Sequence, residues 1–427
     1  MTDPPPPADA DALAKRYRAV RDASLALADP LNAEDCALQS MPDASPTKWH
    51  LAHTSWYFES FVLAAALPGY RHFDPDFAYL FNSYYNSVGL QFSRPHRGLL
   101  SRPSLAQVQA YREHVDRGML ALLERRDADA ATHEVILLGT HHEQQHQELM
   151  LTDLKHLFGQ NPTGPVYRES AARPVERRPG AGPVAFVDHA GGLQEVGWAG
   201  PGFAFDNEAP RHRVHLEPFA LASRPVTNRE YLAFIEAGGY RDPAPWLSDG
   251  WAAVQERGWE APLYWRRRGD AWDTLTLGGV REVDLDTPVI HVSYYEADAY
   301  ARWAGARLPS EEEWETAAGG APVAGNFVES GALHPLPPPP VADGSPSQLF
   351  GDVWEWTRSA YSPYPGYRPP EGALGEYNGK FMSGRMVLRG GSCVSPTDHL
   401  RASYRNFFYP DARWQFSGIR LARDGGG

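Results

Sequence analysis

The chain has 427 residues, a formal net charge of −13 at pH 7 and ordinary globular proportions of hydrophobic (42%) and charged (22%) residues. This length favours two domains, and the negative charge argues against nucleic acid or an anionic membrane surface as a partner. No apolar run is long enough for a transmembrane helix, and the first residues lack the basic start and apolar core of a secretory signal.

Cysteine usage limits both the compartment and the metal chemistry. The two cysteines, Cys36 and Cys393, are too few for a disulfide framework, which predicts a reducing, cytoplasmic location. They also cannot build a thiolate cluster, so any bound metal must be held by histidine and carboxylate side chains.

Four segments in the first part of the chain place apolar residues at helical spacing. They are ALAKRYRAVRDASLALA, TSWYFESFVLAAAL, SLAQVQAYREHVDRGMLALLERR and ATHEVILLGTHHEQQHQELMLTDLKHLF. Four such segments predict an up-and-down helical bundle. Ser45, which is followed by Pro46, is the expected N-cap of the second helix.

A stretch rich in proline, glycine and arginine follows the last helix and predicts a linker. Beyond it, strand-like runs alternate with long loops, and NREYLAFIEAG and SYYEADAYARWAG have helical spacing. The predicted strands are PVAFVDH, HRVHLEPFALA, VIHVSY, MVLRGGSC and GIRLAR. We therefore expect an α+β protein with a helical bundle at 1–165, a linker at 166–182 and a second domain at 183–424.

The strongest chemical signal is HHEQQHQE at 141–148. On a helix, His142 and His146 lie one turn apart on the same face and can share one metal ion. A third ligand must come from another helix, and KWHLAH offers His50 and His53. Surface histidines at this spacing also arise by chance, but a second histidine-bearing helix with aromatic neighbours favours a metal site. Two further histidines of this segment, His133 and His141, are expected to be structural or exposed.

Three imidazoles leave open coordination positions, as in catalytic sites. Such a set suits Fe(II), Zn(II) or Cu(II), and the spacing does not choose among them. A second cluster, at 81–103, contains Tyr84 and Tyr85 together with Arg94 and Arg97. A tyrosine near a metal can deliver a proton or hydrogen atom, and the arginines can hold a carboxylate. A packed aromatic turn with solvated arginines would give the same pattern, so only the histidines favour the catalytic interpretation.

The second half carries several specific strings. They are RPVTNREYLAFI, PVIHVSYYEADAYARWAGARLPSEEEWETAA, GDVWEWT, VLRGGSC and SYRNFFYPDARWQFSGIRLA. Together they resemble the formylglycine-generating-enzyme/sulfatase-modifying domain, a variant of the C-type-lectin-like fold. The first part resembles the DinB-like four-helix bundle, with LAH and HEQQHQE as its metal motif. This domain order resembles the ergothioneine sulfoxide synthase family and its relative selenoneine synthase.

The resemblance implies a non-haem iron(II) enzyme that uses O2 to attach a sulfur or selenium donor to the imidazole of hercynine (N-trimethylhistidine). It implies His53, His142 and His146 as iron ligands and leaves His50 to pack against them or support them. Gln145 and Asn406 correspond to hercynine-binding positions. The resemblance also implies an active site between the two domains, with Phe407 as an aromatic wall.

The resemblance also covers the catalytic tyrosine and the donor. Tyr84 and Tyr85 match the branch in which the bundle donates the tyrosine, with Tyr85 as the expected hydrogen donor. In another branch it comes from the second domain, near YSPYPGY. Arg94 matches a donor-carboxylate position, and Arg97 can complete a clamp for a cysteine-type donor. The loop GLQFSR departs from the family's polar stretch, and its apolar and neutral groups would suit a selenosugar. The two donors are therefore equal expectations.

Three other functions compete with the synthase interpretation. Formylglycine generation is rejected, because it needs a cysteine pair and the second domain has only Cys393. A non-catalytic metal- and ligand-binding lectin-like module and a zinc thiol transferase remain as alternatives. No obligate protein partner is expected. The remaining family motifs are expected to be scaffold, with core tryptophans and loop-holding carboxylates: Trp314, Trp354, Trp356, Asp352 and Glu355.

Overall fold

The computed structural model describes residues 10–169, 182–339 and 345–425. The chain divides into two compact units. The first unit contains Met1–Asn161, Gly200–Phe205 and Pro369–Tyr377, and the second contains the remaining residues. The expected linker falls largely on 170–181, which lies outside the described residues, so the domain boundaries stay a prediction.

The first unit is helical. The four long helices α1, α2, α5 and α6 pack against one another, which confirms the four predicted helical segments and the bundle. A π-helical turn, Glu59–Leu63, joins α2 to α3. The helices are α1 (Ala10–Ala28), α2 (Thr47–Phe58), α3 (Ala64–Ala66), α4 (Phe77–Leu80), α5 (Leu105–Arg125) and α6 (Ala130–Gln160).

The beginnings of the helices follow from short polar side chains. Ser104 Oγ accepts from the Gln107 amide at the start of α5, and Gln107 Oε1 accepts from the Ser104 amide, at 3.3 and 2.9 Å. This reciprocal capping box satisfies two backbone N–H groups that the helix cannot pair. At α6 the cap is a single hydrogen bond, in which Asp129 accepts from the Thr132 amide at 2.8 Å.

The predicted N-cap of α2 is wrong. Pro46 occupies the N-cap position and makes no side-chain cap hydrogen bond. The hydroxyl of Ser45 instead accepts from Nη1 of Arg97 at 3.0 Å. The serine therefore contributes to a contact between distant segments, which local sequence cannot reveal.

A buried ion network links the bundle helices. Glu143 on α6 accepts from Arg21 of α1 at 3.0 Å and from Arg112 of α5 at 2.9 Å, and all three side chains are nearly inaccessible. Arg21 also donates to Ser55 of α2 at 2.9 Å. Burial alone would raise the pKa of Glu143, but the two guanidinium groups outweigh it and lower the pKa to about 2.

Glu143→Gln should lower the free energy of unfolding by about 3–5 kcal/mol, because it leaves two buried guanidinium groups without their shared counter-charge. Chemical denaturation of the metal-free protein measures the loss. Asp127→Asn is the control, since Asp127 pairs with Arg125 where both side chains are about half exposed and such pairs contribute little. Equal losses in the two variants would contradict a special role for the buried network.

The second unit combines sheets with helices. Its sheets have the strand orders β1-β4-β12, β10-β9-β8-β11, β2-β3 and β5-β6-β7, and all pairs are antiparallel except β8 with β11. The mixture confirms the predicted α+β class. The strands are β1 (Phe186–His189), β2 (Gly192–Val196), β3 (His212–Leu216), β4 (Phe219–Ala222), β5 (Trp265–Arg268), β6 (Ala271–Thr276), β7 (Gly279–Glu282), β8 (Trp354–Ala360), β9 (Met386–Arg389), β10 (Asn406–Phe408), β11 (Ser417–Gly418) and β12 (Ala422–Asp424), and the helices are α7 (Asn228–Glu236), α8 (Ser248–Arg257), α9 (Tyr294–Trp303) and α10 (Glu311–Ala318).

The predicted helices of this unit are confirmed as α7 and α9, whereas one predicted strand is wrong. The run VIHVSY forms no strand, although its apolar side chains are buried. The backbone of His291 has a φ of 63°, which interrupts the extended conformation in the middle of the run. The amides on either side donate to separate segments, Val289 to Val226 and Val292 to Ser417, and Ser293 then caps α9. None of the described helices is both long and apolar enough to cross a bilayer.

The scaffold prediction for the second unit is confirmed. Trp314, Trp354 and Trp356 are among the largest fully buried side chains. Glu355 accepts from the Trp314 indole at 2.6 Å, and Asp352 accepts from the amide of Leu336 at 2.8 Å. These carboxylates hold neighbouring segments in place, as expected.

Candidate functional site

Three histidines of the first unit converge on one point. His53 comes from α2, and His142 and His146 come from α6. One ring nitrogen of each lies within 4.8 Å of the other two. In the part of the chain that the structure describes, this is the only such group of three or more histidine, cysteine or acidic side chains. All three rings are buried.

A glycine allows α2 and α6 to approach closely at this point. Gly139 lies one turn before His142 on α6 and faces Tyr57 and Phe58 of α2. A Cβ atom at this position would lie 2.6 Å from each of these rings, which is closer than van der Waals contact. The missing side chain therefore helps to bring the histidines of the two helices together.

His53 is fixed in orientation and tautomer. Its Nδ1 lies 2.6 Å from the carbonyl oxygen of Phe81, to which it donates, so a neutral ring leaves Nε2 free to bind a metal. The ring is stacked between Trp49 and Trp56, with centroids 4.6 and 5.5 Å away. Its Nε2 lies 3.2 Å from Nε2 of His142.

The electrostatics keep the three rings neutral. Burial and neighbouring imidazoles lower the pKa values of His53 and His146 well below the usual range, and burial lowers that of His142 to about 3. Within the described residues, Nδ1 of His142 has no hydrogen-bond partner. Neutral imidazoles with converging lone pairs are the form that a divalent metal requires, so the residues present fit such an ion.

The two tyrosines selected from the sequence lie next to each other in the first unit. Tyr84 and Tyr85 stack with centroids 4.6 Å apart. Tyr85 is fully buried against Trp56 and Phe61, and burial raises its pKa well above the usual value. Tyr84 is half-buried. Their catalytic role stays a prediction.

Tyr377, which is not among the residues predicted from the sequence, contacts both a predicted ligand and a predicted substrate-binding residue. Its ring lies edge-on to that of His142, with centroids 5.6 Å apart, and its hydroxyl donates to Oε1 of Gln145. It is also edge-on to Tyr84 at 6.4 Å. The stretch YSPYPGY lies just upstream, so the family branch with a tyrosine from the later part of the chain was the only available signal.

A loop between the bundle helices and the ring of Phe205 hold Tyr377 in place. The Glu376 carboxylate accepts from the amides of Asn86 and Ser87 at 3.0 and 2.8 Å and from the Ser87 hydroxyl at 2.6 Å. Phe205 stacks on Tyr377 with centroids 5.6 Å apart. The segment that carries Tyr377 is thus tied to the loop that carries the other two tyrosines.

The two predicted carboxylate-binding arginines have different surroundings. Arg97 is buried, its guanidinium lies 3.4 Å from the ring centroid of Trp49, and it donates to the hydroxyl of Ser83 at 3.1 Å. Burial and the charge of Arg94 lower the pKa of Arg97 to about 8. Arg94 is exposed and donates to the carbonyl oxygen of Asp43. Of the two, Arg94 is better placed for a carboxylate that arrives from solvent.

The remaining predicted residues are placed as follows. Asn406 and Phe407 lie on β10 of the second unit, where Phe407 stacks on Tyr361 with centroids 4.0 Å apart. Their contact with substrate stays a prediction.

His141 is buried and stacks on Phe203 with centroids 3.9 Å apart, and His133 is also buried. Of the two expected roles for these histidines, a structural one fits and an exposed one does not.

Comparison with known proteins covers nearly the whole chain. The sulfatase-modifying factor enzyme 1-like domain matches 173–338 and 346–425, and the DinB superfamily matches 16–150, which confirms both predicted domain types. Hercynine oxygenase of Mycolicibacterium thermoresistibile is 35% identical, over 96% of this chain and 94% of its own length. The Mycobacterium tuberculosis hercynine oxygenase is 34% identical, over 96% and 98%. Ergothioneine biosynthesis protein 1 of Schizosaccharomyces pombe is 29% identical over 52% of this chain and 28% of its own length.

Proposed function

Because the chain belongs to the hercynine oxygenase family, we propose that it is an iron(II)- and O2-dependent synthase that forms a carbon–sulfur or carbon–selenium bond on the imidazole of hercynine. The observation that carries the proposal is the convergence of His53, His142 and His146 in a buried site. Three protein ligands leave positions open for reactants. Bound iron(II) would supply O2 activation and the oxidation that replaces the ring C–H bond by a bond to the donor.

The chain's own residues would position the reactants and move protons. The three imidazoles hold the metal, and the tryptophans that stack on His53 exclude water from one side of the site. The phenol of Tyr377, anchored on Gln145, is placed to give a proton or hydrogen atom beside His142. Positioning and water exclusion of this kind account for much of an enzyme's rate gain.

Aromatic faces near Gln145 support hercynine as the substrate. Phe203, Phe205 and Tyr377 form a continuous group of rings in the first unit, with centroid distances of 4.9 and 5.6 Å between neighbours. A quaternary ammonium is attracted to such faces. Histidine, which lacks the methyl groups, should therefore be a poor substrate.

Gln145→Ala should raise the KM for hercynine by about tenfold, the effect of losing a hydrogen bond of about 1.5 kcal/mol, and should affect the donor KM less. Steady-state kinetics with each substrate varied in turn measure the difference. Gln160→Ala, an exposed glutamine at the end of the same helix, is the control. Equal use of histidine and hercynine by the native enzyme would contradict the substrate assignment.

Glu376→Ala should lower kcat by about 10- to 100-fold, because it releases the segment that positions Tyr377 and a small misplacement costs that much. Metal content should stay unchanged, since Glu376 is not a member of the converging group of histidines. Glu371→Ala, an exposed acidic residue of the same segment, should behave as the native enzyme. Loss of activity in both variants would point to a general effect of charge instead of the Glu376 contacts.

Two types of sulfur or selenium donor fit the residues near Tyr84 and Tyr85. The exposed guanidinium of Arg94 suits the carboxylate of cysteine or γ-glutamylcysteine. The neighbouring loop instead offers the neutral groups and apolar faces that suit a selenosugar. Its Leu90 is 83% exposed, and Gln91 donates to Asn86 at 2.9 Å. These observations support the two donors equally.

A parallel assay decides between the donors and tests the proposed function itself. Native enzyme receives hercynine, iron(II) and O2 with cysteine, γ-glutamylcysteine, thioglucose or selenoglucose, and products are identified by mass spectrometry. Turnover with cysteine-type donors alone excludes the selenoneine reaction, and turnover with the sugar alone excludes the sulfoxide reaction. Turnover that requires zinc and no O2 would replace the proposal by a thiol transferase. Metal binding without any turnover would leave a non-catalytic module.

A further inference from the structure

His50 lies beside the three converging histidines and contacts one of them. Its side chain is buried, and its Nδ1 lies 2.8 Å from Nδ1 of His146. Its other nitrogen, Nε2, lies 3.1 Å from Oδ2 of Asp153. Asp153 is about two turns further along α6 than His146, so both ends of this chain of hydrogen bonds are attached to one rigid helix.

The direction of each hydrogen bond follows from the carboxylate. An ionised carboxylate can only accept, so Nε2 of His50 donates to Asp153. A neutral His50 then has its lone pair on Nδ1, and the short contact to His146 requires a proton from Nδ1 of His146. In that tautomer, Nε2 of His146 carries a lone pair. The opposite tautomer of His146 would place its Nδ1 lone pair against the Nδ1 lone pair of His50 at 2.8 Å.

The carboxylate is itself held in place. Oδ2 of Asp153 also accepts from the backbone amide of Ser45 at 2.8 Å, which fixes the oxygen that His50 uses. His53 obtains the same tautomer from a backbone carbonyl, and within the described residues Nδ1 of His142 makes no hydrogen bond. Among the three rings, within the described residues, His146 is thus the one whose second ring nitrogen is hydrogen-bonded to another side chain.

We propose that Asp153 and His50 are positioning residues of the metal centre, which together hold His146 in the tautomer and orientation that present Nε2 to the ion. This inference rests on the proposed function only in that the three histidines bind a metal. A ligand histidine whose second nitrogen is hydrogen-bonded toward a carboxylate is better oriented and more basic, and loss of such partners costs 10- to 100-fold in metal affinity as a rough range.

The test is a titration of the metal-free protein with Co(II), followed by visible absorption without hercynine, donor or O2. His50→Phe keeps a ring but removes the acceptor, and it should weaken Co(II) binding about 10- to 100-fold. His50→Asn places an amide oxygen near the former Nδ1 and should restore most of the affinity, which a role in packing alone would not. Asp153→Ala should weaken binding as His50→Phe does.

His156→Phe is the matched control, because His156 lies on the same helix, its Nδ1 is hydrogen-bonded to the hydroxyl of Ser40 at 2.7 Å, and it is not a member of the converging group. Its Co(II) affinity should equal that of the native protein. Co(II) affinities within twofold of the native value for both His50→Phe and Asp153→Ala would overturn the inference. If His50→Phe does not fold, the affinity of Asp153→Ala alone decides. Because no substrate is present, a protein that binds Co(II) as expected and fails to convert hercynine would overturn only the proposed function.

Discussion

His142→Ala should bind no stoichiometric iron(II) and show no turnover above background, and His53→Ala and His146→Ala should behave alike. Two remaining imidazoles hold iron(II) weakly, and the structure places no other histidine, cysteine or acidic side chain in the group among the described residues. Metal analysis after anaerobic loading and product formation measure the two losses. Thermal unfolding of the metal-free variants shows that the loss is not a failure to fold.

His141→Ala is the matched control for this prediction. His141 is the sequence neighbour of His142, yet it stacks on Phe203 with centroids 3.9 Å apart and lies outside the converging group. Its replacement should leave metal binding intact and have a mild effect on turnover. A metal-free His141→Ala together with a fully loaded His142→Ala would show that α6 presents a different face to the metal.

Tyr377→Phe should bind iron(II) and hercynine normally and slow or divert bond formation by about 10²–10⁴-fold, the usual contribution of a single proton donor. The reason is its position, since its ring contacts His142 and its hydroxyl is anchored on Gln145. Single-turnover kinetics separate this loss from binding. Tyr85→Phe and Tyr84→Phe belong in the same experiment, because the family resemblance assigns the role to one of them.

The three tyrosine variants together identify the donor residue. A large loss in Tyr377→Phe with small losses in the other two would assign the role to Tyr377. A large loss in Tyr85→Phe with a native rate in Tyr377→Phe would restore the sequence-based assignment, which the raised pKa of Tyr85 permits because its phenol stays protonated. Native rates in all three would remove tyrosine from the mechanism.

Much of the metal site could be predicted from the sequence, since its determinants are local. His142 and His146 are one helical turn apart, and the segment KWHLAH offered His50 and His53 as the third ligand. Only the family resemblance selected His53 from these two. The capping boxes at Ser104 and Ser293 likewise mark helix starts within four residues. The same signal at Ser310 begins α10, a helix that is not among those predicted from the sequence.

Other features depend on contacts between distant parts of the chain. Tyr377 reaches Gln145 across 232 positions of sequence, and no spacing rule connects residues so far apart. The burial of Arg97 could not be inferred either, because it results from stacking on Trp49 and bonding to the hydroxyl of Ser45. A basic residue in a polar stretch looks solvated until its tertiary partners are known.

The proposed reaction uses O2 and iron(II) to replace the hydrogen on the ring carbon between the two nitrogens of hercynine by a sulfur or selenium substituent. Hercynine deuterated at that carbon, supplied with iron(II), O2 and the donor panel, tests it in one mass-spectrometric measurement. We expect a conjugate that has lost the deuterium, that forms only when O2 and iron(II) are both present, and that is absent with His142→Ala. A conjugate that retains the deuterium, or that forms at the same rate without O2, would contradict it.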